Sequence, residues 1–330
     1  MITPQRIVSG MRPTGPLHLG HFFGVLKNWA LLQQEHECFF FIADWHALTS
    51  EYAESQKIKG FVSELVIDWI ASGLDPTTSV FFLQSHIKEH AELNLLLSMI
   101  TPLGWLERNP TYKEIKQELI TKDLNTFGFL GYPVLMSADI LMYKATMVPV
   151  GQDQLPHLEL CREIARRFNY LYGNFFPEPK DQLTHSPKLL GLDGRKMSKS
   201  YHNAIYLGES SDSLRSKIMS MLTDTNRKRL KDPGNPDNCN LFPYLKLLEP
   251  NEDFQEIEEG CTQATRGCMD CKKLLFQKLE TFLEPIRAKR NDLVNSPDLV
   301  HSIIEQGTQT AREEAQKTLE NVRECMGLNY

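Results

Sequence analysis

An α/β fold built on a doubly wound parallel sheet is what this sequence predicts, on three observations. Residues 38–43 (Cys-Phe-Phe-Phe-Ile-Ala) and 80–83 (Val-Phe-Phe-Leu) are continuously apolar, the pattern of strands buried on both faces. Between them Ile58, Phe61, Val62, Leu65, Val66, Trp69 and Ile70 recur at i, i+3, i+4 spacing and stop at Gly73-Leu74-Asp75-Pro76, as an amphipathic crossover helix should. A first strand at Ile7 and Val8 leads through a glycine-bearing turn into a helix with Phe22, Val25, Leu26, Trp29 and Leu32, which completes strand, helix, strand, helix, strand.

Residues 85–130 interrupt this alternation with helical sequence at 91–100 and 112–122. Leu93, Leu95, Leu96, Leu97, Met99 and Ile100 cover too wide an arc for a surface helix, so the insertion joins the core or forms the interface of a homodimer. The pattern resumes with a helical segment at 132–143 and a strand at 147–150. A helix with Leu155, Leu158, Cys161, Ile164 and Phe168 on one face follows, with Pro156 in its first turn. Further on, residues 211–221, 272–282 and 299–326 read as helices, and Pro285 is expected to kink or end the second. The expected organisation is a Rossmann-type domain over 1–205 carrying the insertion at 85–130, an all-helical domain over 206–295, and a C-terminal helix over 296–330 that packs back on the first domain.

A net charge of −6 gives no general affinity for nucleic acid, so any such role rests on local clusters. Arg227, Lys228, Arg229 and Lys231 form one, Lys272 and Lys273 a second, and Arg287, Lys289 and Arg290 a third. No apolar run approaches the roughly 20 residues of a membrane helix, and no signal-peptide pattern precedes the first strand; a cytoplasmic protein without membrane contact is expected.

Polar residues gather where strands end, the place where open α/β sheets bind ligands. In the turn Pro-Thr-Gly-Pro-Leu-His-Leu-Gly-His at 13–21, Gly15 and Gly20 allow close approach of a ligand, and His18 and His21 can hydrogen-bond phosphate oxygens at a helix start. His46 follows the second strand, and Gly-Gln-Asp-Gln at 151–154 follows the fourth. Asp139 sits inside the apolar run Met-Ser-Ala-Asp-Ile-Leu-Met, where a carboxylate needs a partner: a backbone donor, a basic side chain or a ligand. Farther along, Asp-Gly-Arg-Lys-Met-Ser-Lys-Ser at 193–200 is a glycine-bearing loop whose Lys196 and Lys199 suit charge stabilisation of departing pyrophosphate.

The His-Leu-Gly-His turn and the Lys-Met-Ser-Lys-Ser loop, in this order, resemble the two signatures of class I aminoacyl-tRNA synthetases. Residues 9–15, 43–49, 137–141 and 148–154 resemble the bacterial tryptophanyl-tRNA synthetases in particular, and the resemblance covers essentially the whole chain. It implies an enzyme that activates L-tryptophan with Mg²⁺-bound ATP and charges tRNA(Trp), with His18, His21, Lys196 and Lys199 catalytic. It further implies that Arg12, Pro13, Thr14, Gly20 and His21 hold ATP, that Gly151, Gln152 and Asp153 reach its ribose, and that Leu189 and Met197 lie near the adenine, with Ser198 and Ser200 in the same loop. Tyr132 and Gln154 match positions that bind the substrate amino group. Val8, His46, Met136, Val148 and Val150 match the indole pocket wall, and Asp139 the acceptor for the indole N–H. The family commonly has Glu where this chain has Gln152. A tyrosyl-tRNA synthetase and a non-aminoacylating sensor of tryptophan or RNA are the alternative readings.

Four of the seven cysteines, Cys239, Cys261, Cys268 and Cys271, fall in one window and suit a four-thiolate site for zinc or an iron–sulfur cluster. A subset of tryptophanyl-tRNA synthetases resembles this pattern and binds a [4Fe-4S] cluster in its anticodon-binding domain. The resemblance implies that cluster here, with zinc as the alternative, and tRNA binding by the helical domain that weakens as salt rises.

Overall fold

The structure is a computed structural model and describes residues 4–113, 123–183, 189–248 and 252–330. The chain forms two compact units: Met1–Gly15 with Lys27–His185 and Ser296–Tyr330, and Pro16–Leu26 with Ser186–Asn295.

The first unit holds a five-stranded sheet in the order β3-β2-β1-β4-β5, with β1 Arg6–Met11, β2 Glu37–Ile42, β3 Ser79–Leu83, β4 Met147–Val150 and β5 Lys180–Leu183. Every neighbouring pair is parallel, with Val8 opposite Phe39, Phe40 opposite Phe81 and Ile7 opposite Met147. The strand order reverses direction between β1 and β4, which opens a crevice at their carboxyl ends, beside Arg12 and Gly151. Strand β5 was not visible in the sequence. Its Lys-Asp-Gln-Leu is polar and mostly exposed because it is an edge.

Helices α1 Asp44–Glu51, α2 Gln56–Ala71, α3 Glu89–Ile100, α4 Phe127–Met142 and α5 Leu155–Tyr172 flank the sheet. In α3 Leu93, Leu97 and Ile100 join the core, whereas Leu95 and Met99 are exposed. Residues 114–122 of the expected 112–122 helix lie outside the described residues. Helix α4 starts at Phe127, five residues before the predicted segment, because the Thr126 hydroxyl caps it by accepting the Phe129 N–H. Neither Asp153 nor Gln154 caps α5 through its side chain.

The second unit is helical, with α6 Ser211–Ser220 packed along α7 Cys268–Val294, and shorter helices at Phe242–Leu248 and Glu252–Thr262. Leu275, Leu279, Leu283 and Ile286 give α7 its buried stripe. Of the two outcomes expected at Pro285, a kink or an end, the helix does not end there. Pro285 lies on the exposed face, so the Thr281 carbonyl that loses its helical donor faces solvent. The final helix, α8 Pro297–Cys325, belongs to the first unit and lies against β3. Its buried positions Val300, Ile304, Thr308, Ala311, Ala315, Leu319 and Val322 recur every three or four residues.

Candidate active site

Asp139 is completely buried in α4 and receives hydrogen bonds from three side chains. His90 Nδ1 is 2.6 Å from Oδ1, His46 Nε2 is 2.7 Å from Oδ2, and Gln84 Nε2 lies 2.8 and 2.9 Å from the two oxygens. The Trp45 N–H donates to Gln84 Oε1 at 3.2 Å, which fixes the amide so that its NH₂ faces the carboxylate. His90 Nε2 accepts the Tyr143 hydroxyl at 2.6 Å, and both residues are fully buried. Burial pushes the Asp139 carboxyl up, yet the two histidine hydrogen bonds outweigh it and hold the group below the usual carboxylate range. The carboxylate is therefore ionised and surrounded by donors. Of those donors, His46 alone keeps any exposure, 12% of its side chain.

The other residues expected at the indole pocket lie in or beside the core cluster that also holds Ala138 and Ile140, the chain neighbours of Asp139. Val8, Val148 and Val150 are buried, and Met136 packs at the margin of the same core. Tyr132 lies edge-on to His46, with its hydroxyl 2.7 Å from His157 Nε2. Beyond β4, Gln154 Nε2 donates to Asp153 Oδ2 at 3.1 Å. A Cβ on Gly151 would come within 2.6 Å of Asp153 Oδ1, so this turn closes tightly only around glycine. Gln152 and Asp153 are exposed. At the end of β1 the Arg12 guanidinium donates to the Ser50 hydroxyl and lies 3.9 Å from Glu51, and the Thr14 N–H turns back to the Arg12 carbonyl at 2.9 Å. Pro13 is buried beside it.

The second unit contains both lysine-loop and histidine-turn residues. The His18 and His21 rings lie against each other at a tilt of 38° with centroids 3.8 Å apart, and the His18 backbone N–H donates to His21 Nδ1 at 3.2 Å, which leaves the His21 proton on Nε2. Among the described residues, the buried His18 Nδ1 has no hydrogen-bond partner. Burial lowers His18 to about 4 with Lys199 adding to it, and burial, His18 and Lys199 push His21 well below the ordinary value. Both are thus neutral donors near pH 7. Lysine 199 is close enough to act on both rings.

Residues 189–203 form a short hairpin. Leu190 bridges Lys196, the Gly191 N–H meets the Arg195 carbonyl at 2.6 Å, and Gly194 takes a φ of +79° at the tip. Asn203, which sequence reasoning missed, clamps it. Its Nδ2 donates to Asp193 Oδ1 at 2.7 Å and to the Lys196 carbonyl at 3.2 Å, while its Oδ1 accepts the Ser198 N–H at 2.9 Å. The hydrogen bond from Asn203, joined by those from Arg195, holds Asp193 down to about 2. Leu189 and Met197 are buried at the loop base, and Lys196 points outward. A Cβ on Gly20 would sit 3.8 Å from Met197 Sδ, so the turn and the loop are in contact. The Ser200 side chain lies outside the described ones.

The four clustered cysteines also belong to this unit. Burial pushes the thiols of Cys239, Cys261 and Cys271 up, with the charge of other cysteines of the set adding to it, and Arg227 Nη1 lies 4.0 Å from both Cys261 and Cys268 Sγ. Among the described residues no group of three or more His, Cys, Asp or Glu side chains is gathered to hold a metal ion. A tetrahedral zinc site with Zn–S near 2.3 Å would bring its sulfurs to about 3.8 Å from one another. The thiol donor set suits soft metals, and a multi-iron core spans a wider gap than one ion.

A parallel sheet with its crevice at the strand reversal, a phosphate-type histidine turn and a lysine hairpin in contact with it define a class I aminoacyl-tRNA synthetase. The description "tRNA synthetases class I (W and Y)" matches residues 3–284. The tryptophan–tRNA ligase of Thermotoga maritima is 54% identical, with 99% of this chain and 100% of that protein covered. The tryptophan–tRNA ligase of Aquifex aeolicus is 47% identical over 98% and 100%. Among solved structures, tryptophanyl-tRNA synthetase from Campylobacter jejuni complexed with ADP and tryptophan superposes with a TM-score of 0.88 at 35% identity, over 98% of this chain and 100% of that one. The chain belongs to this family of class I synthetases, among its tryptophan–tRNA ligases. No helix among the described residues is long and apolar enough to cross a membrane.

Proposed function

We propose that the chain forms tryptophanyl-adenylate from L-tryptophan and ATP and passes the tryptophanyl group to tRNA(Trp), with the residues above in the following roles. The observation that carries this reading is the contact, within one compact unit, between the His18–His21 turn and the hairpin bearing Lys196 and Lys199. The tryptophan carboxylate attacks the α-phosphorus of Mg²⁺-bound ATP in line, and the bond to pyrophosphate breaks; the terminal ribose hydroxyl of the tRNA then attacks the acyl carbon and AMP leaves. Neutral His18 and His21 donate N–H groups to phosphate oxygens, and the lysines take up charge growing on pyrophosphate. Arg12, Pro13, Thr14 and Gly20 complete the phosphate contacts, residues 151–153 bind the ribose, and Leu189 and Met197 face the adenine. Gln152 acts there as a hydrogen-bonding group without charge.

Asp139 selects tryptophan. Its lone pairs are already taken by His90, Gln84 and His46, so an indole N–H replaces the partly exposed His46 and keeps the carboxylate satisfied. Phenylalanine offers no such donor. Tyr132 and Gln154 bind the ammonium group.

Replacing Lys199 by Ala is expected to slow tryptophan-dependent ATP–pyrophosphate exchange by on the order of 10²-fold, with little change in KM for tryptophan. Exchange at the wild-type rate would remove the hairpin from the mechanism.

Cys239, Cys261, Cys268 and Cys271 would hold a [4Fe-4S] cluster, with zinc as the second reading. Anaerobically purified protein is expected to carry about four iron and four sulfide per chain with broad visible absorbance; stoichiometric zinc without iron would sink this assignment. The helical region over 206–295, with its basic clusters, binds the tRNA anticodon arm, and the enzyme works as a homodimer.

A further inference from the structure

Behind Tyr132 lies a chain of hydrogen bonds whose direction can be read from one fixed end. The Thr111 N–H donates to Asn109 Oδ1 at 3.0 Å. A backbone amide only donates, so the amide of Asn109 is oriented and its Nδ2 is the atom 3.2 Å from His157 Nδ1. His157 Nδ1 is therefore an acceptor, and the imidazole proton sits on Nε2. That N–H donates to the Tyr132 hydroxyl oxygen at 2.7 Å. Asn109 and His157 are 5% and 1% exposed, and burial, with the charge of His46, holds His157 down to about 4, so the ring stays neutral. The Thr111 hydroxyl donates to the Asp153 carbonyl at 3.1 Å and ties this relay to the turn after β4.

The direction matters for what Tyr132 can offer. A phenol has one donor and two acceptor sites. Had Tyr132 donated to His157, only lone pairs would face a ligand. With His157 donating, one lone pair is used internally, and the ligand meets one lone pair and one O–H. An α-amino acid head group carries the matching pair, an ammonium that donates and a carboxylate that accepts.

We propose that Asn109 and His157 are positioning residues that set Tyr132 to read both halves of the substrate's zwitterionic head, its lone pair meeting the ammonium and its O–H the carboxylate. This rests on the reading of Tyr132 as a head-group contact. Asn109→Asp tests it with little change of shape. The new carboxylate takes the Nδ1 proton, Nε2 becomes an acceptor, and Tyr132 turns its O–H inward. Tryptamine, which has only the ammonium, and indole-3-propionate, which has only the carboxylate, are measured as competitors of tryptophan at about pH 8.5, where the imidazole is neutral.

In Asn109→Asp, indole-3-propionate is expected to bind about tenfold more weakly, while tryptamine binds as well as to the wild type or better. Equal weakening of both, or of neither, overturns the relay. Tyr132→Phe separates the two levels of the argument. It should weaken both competitors, and if it changes neither, the reading of Tyr132 itself fails. Weakening by Tyr132→Phe without the selective shift in Asn109→Asp leaves that reading standing and overturns only the relay.

Discussion

Asp139→Asn is expected to raise KM for tryptophan on the order of 10²-fold and to lower unfolding free energy by about 3 kcal/mol while leaving the fold intact. An asparagine of the same shape offers one acceptor and one NH₂. Three donors converge on this position, from His46, His90 and Gln84, and the two fully buried ones, His90 and Gln84, cannot leave without losing their partner in a dry environment. At least one donor then faces another donor. The indole N–H meets the same conflict, so stability and recognition fall together. Tryptophan-dependent exchange and urea unfolding of the same preparation measure the two effects. An unchanged KM in a folded variant would show that the indole is read elsewhere.

Gly307→Ala is expected to destabilise the protein by about 2–4 kcal/mol, against the ordinary rule for helices. In an exposed helix interior this substitution stabilises by up to about 1 kcal/mol, because alanine loses less backbone entropy than glycine. Here a Cβ would lie 1.9 Å from the Phe81 carbonyl oxygen and 2.8 Å from its carbon, which are backbone atoms that cannot step aside. Helix α8 must retreat from β3. That retreat pulls the Thr308 hydroxyl from the Leu83 N–H, which it accepts at 3.2 Å, and loosens Ala311 and Ala315 in the core. The sign decides the matter. A midpoint of thermal or urea unfolding above the wild type would show that helix propensity prevails at this position.

What could be read from the sequence follows the range of the forces involved. Strands β2 and β3 were legible because burial on both faces writes an uninterrupted apolar run, and β1 and β4 showed as short apolar pieces of the same alternation, whereas β5 obeys the solvent on its open side and looks like a loop. Asp139 announced itself, since a carboxylate inside an apolar helix demands a partner. The identity of the partners Gln84 and His90 did not, because they come from other elements and look unremarkable in their own neighbourhoods. Asn109 and His157 were missed for the same reason: a relay of neutral groups leaves no local mark. Asn203 lay within reach of inference, because Gly191, whose Cβ would fall 2.2 Å from the Asn203 amide, is the mark of something packed against the loop base. Pro285 does not end its helix because a helix whose exposed face loses one hydrogen bond can continue.

The seat of α8 on β3 bears on how the protein is made. The Leu83 N–H and the Thr308 hydroxyl that receives it are 225 residues apart. During synthesis the β3 edge emerges early, and its cover arrives only after the whole helical unit has left the ribosome. For most of that interval a strand of Val-Phe-Phe-Leu presents unpaired backbone groups, the kind of edge to which other chains add. At synthesis rates of about 5–20 residues per second, 225 residues leave this edge open for on the order of 10–45 s. Crowding of nascent chains and the supply of chaperones should therefore influence the yield of this protein more than its final stability would suggest.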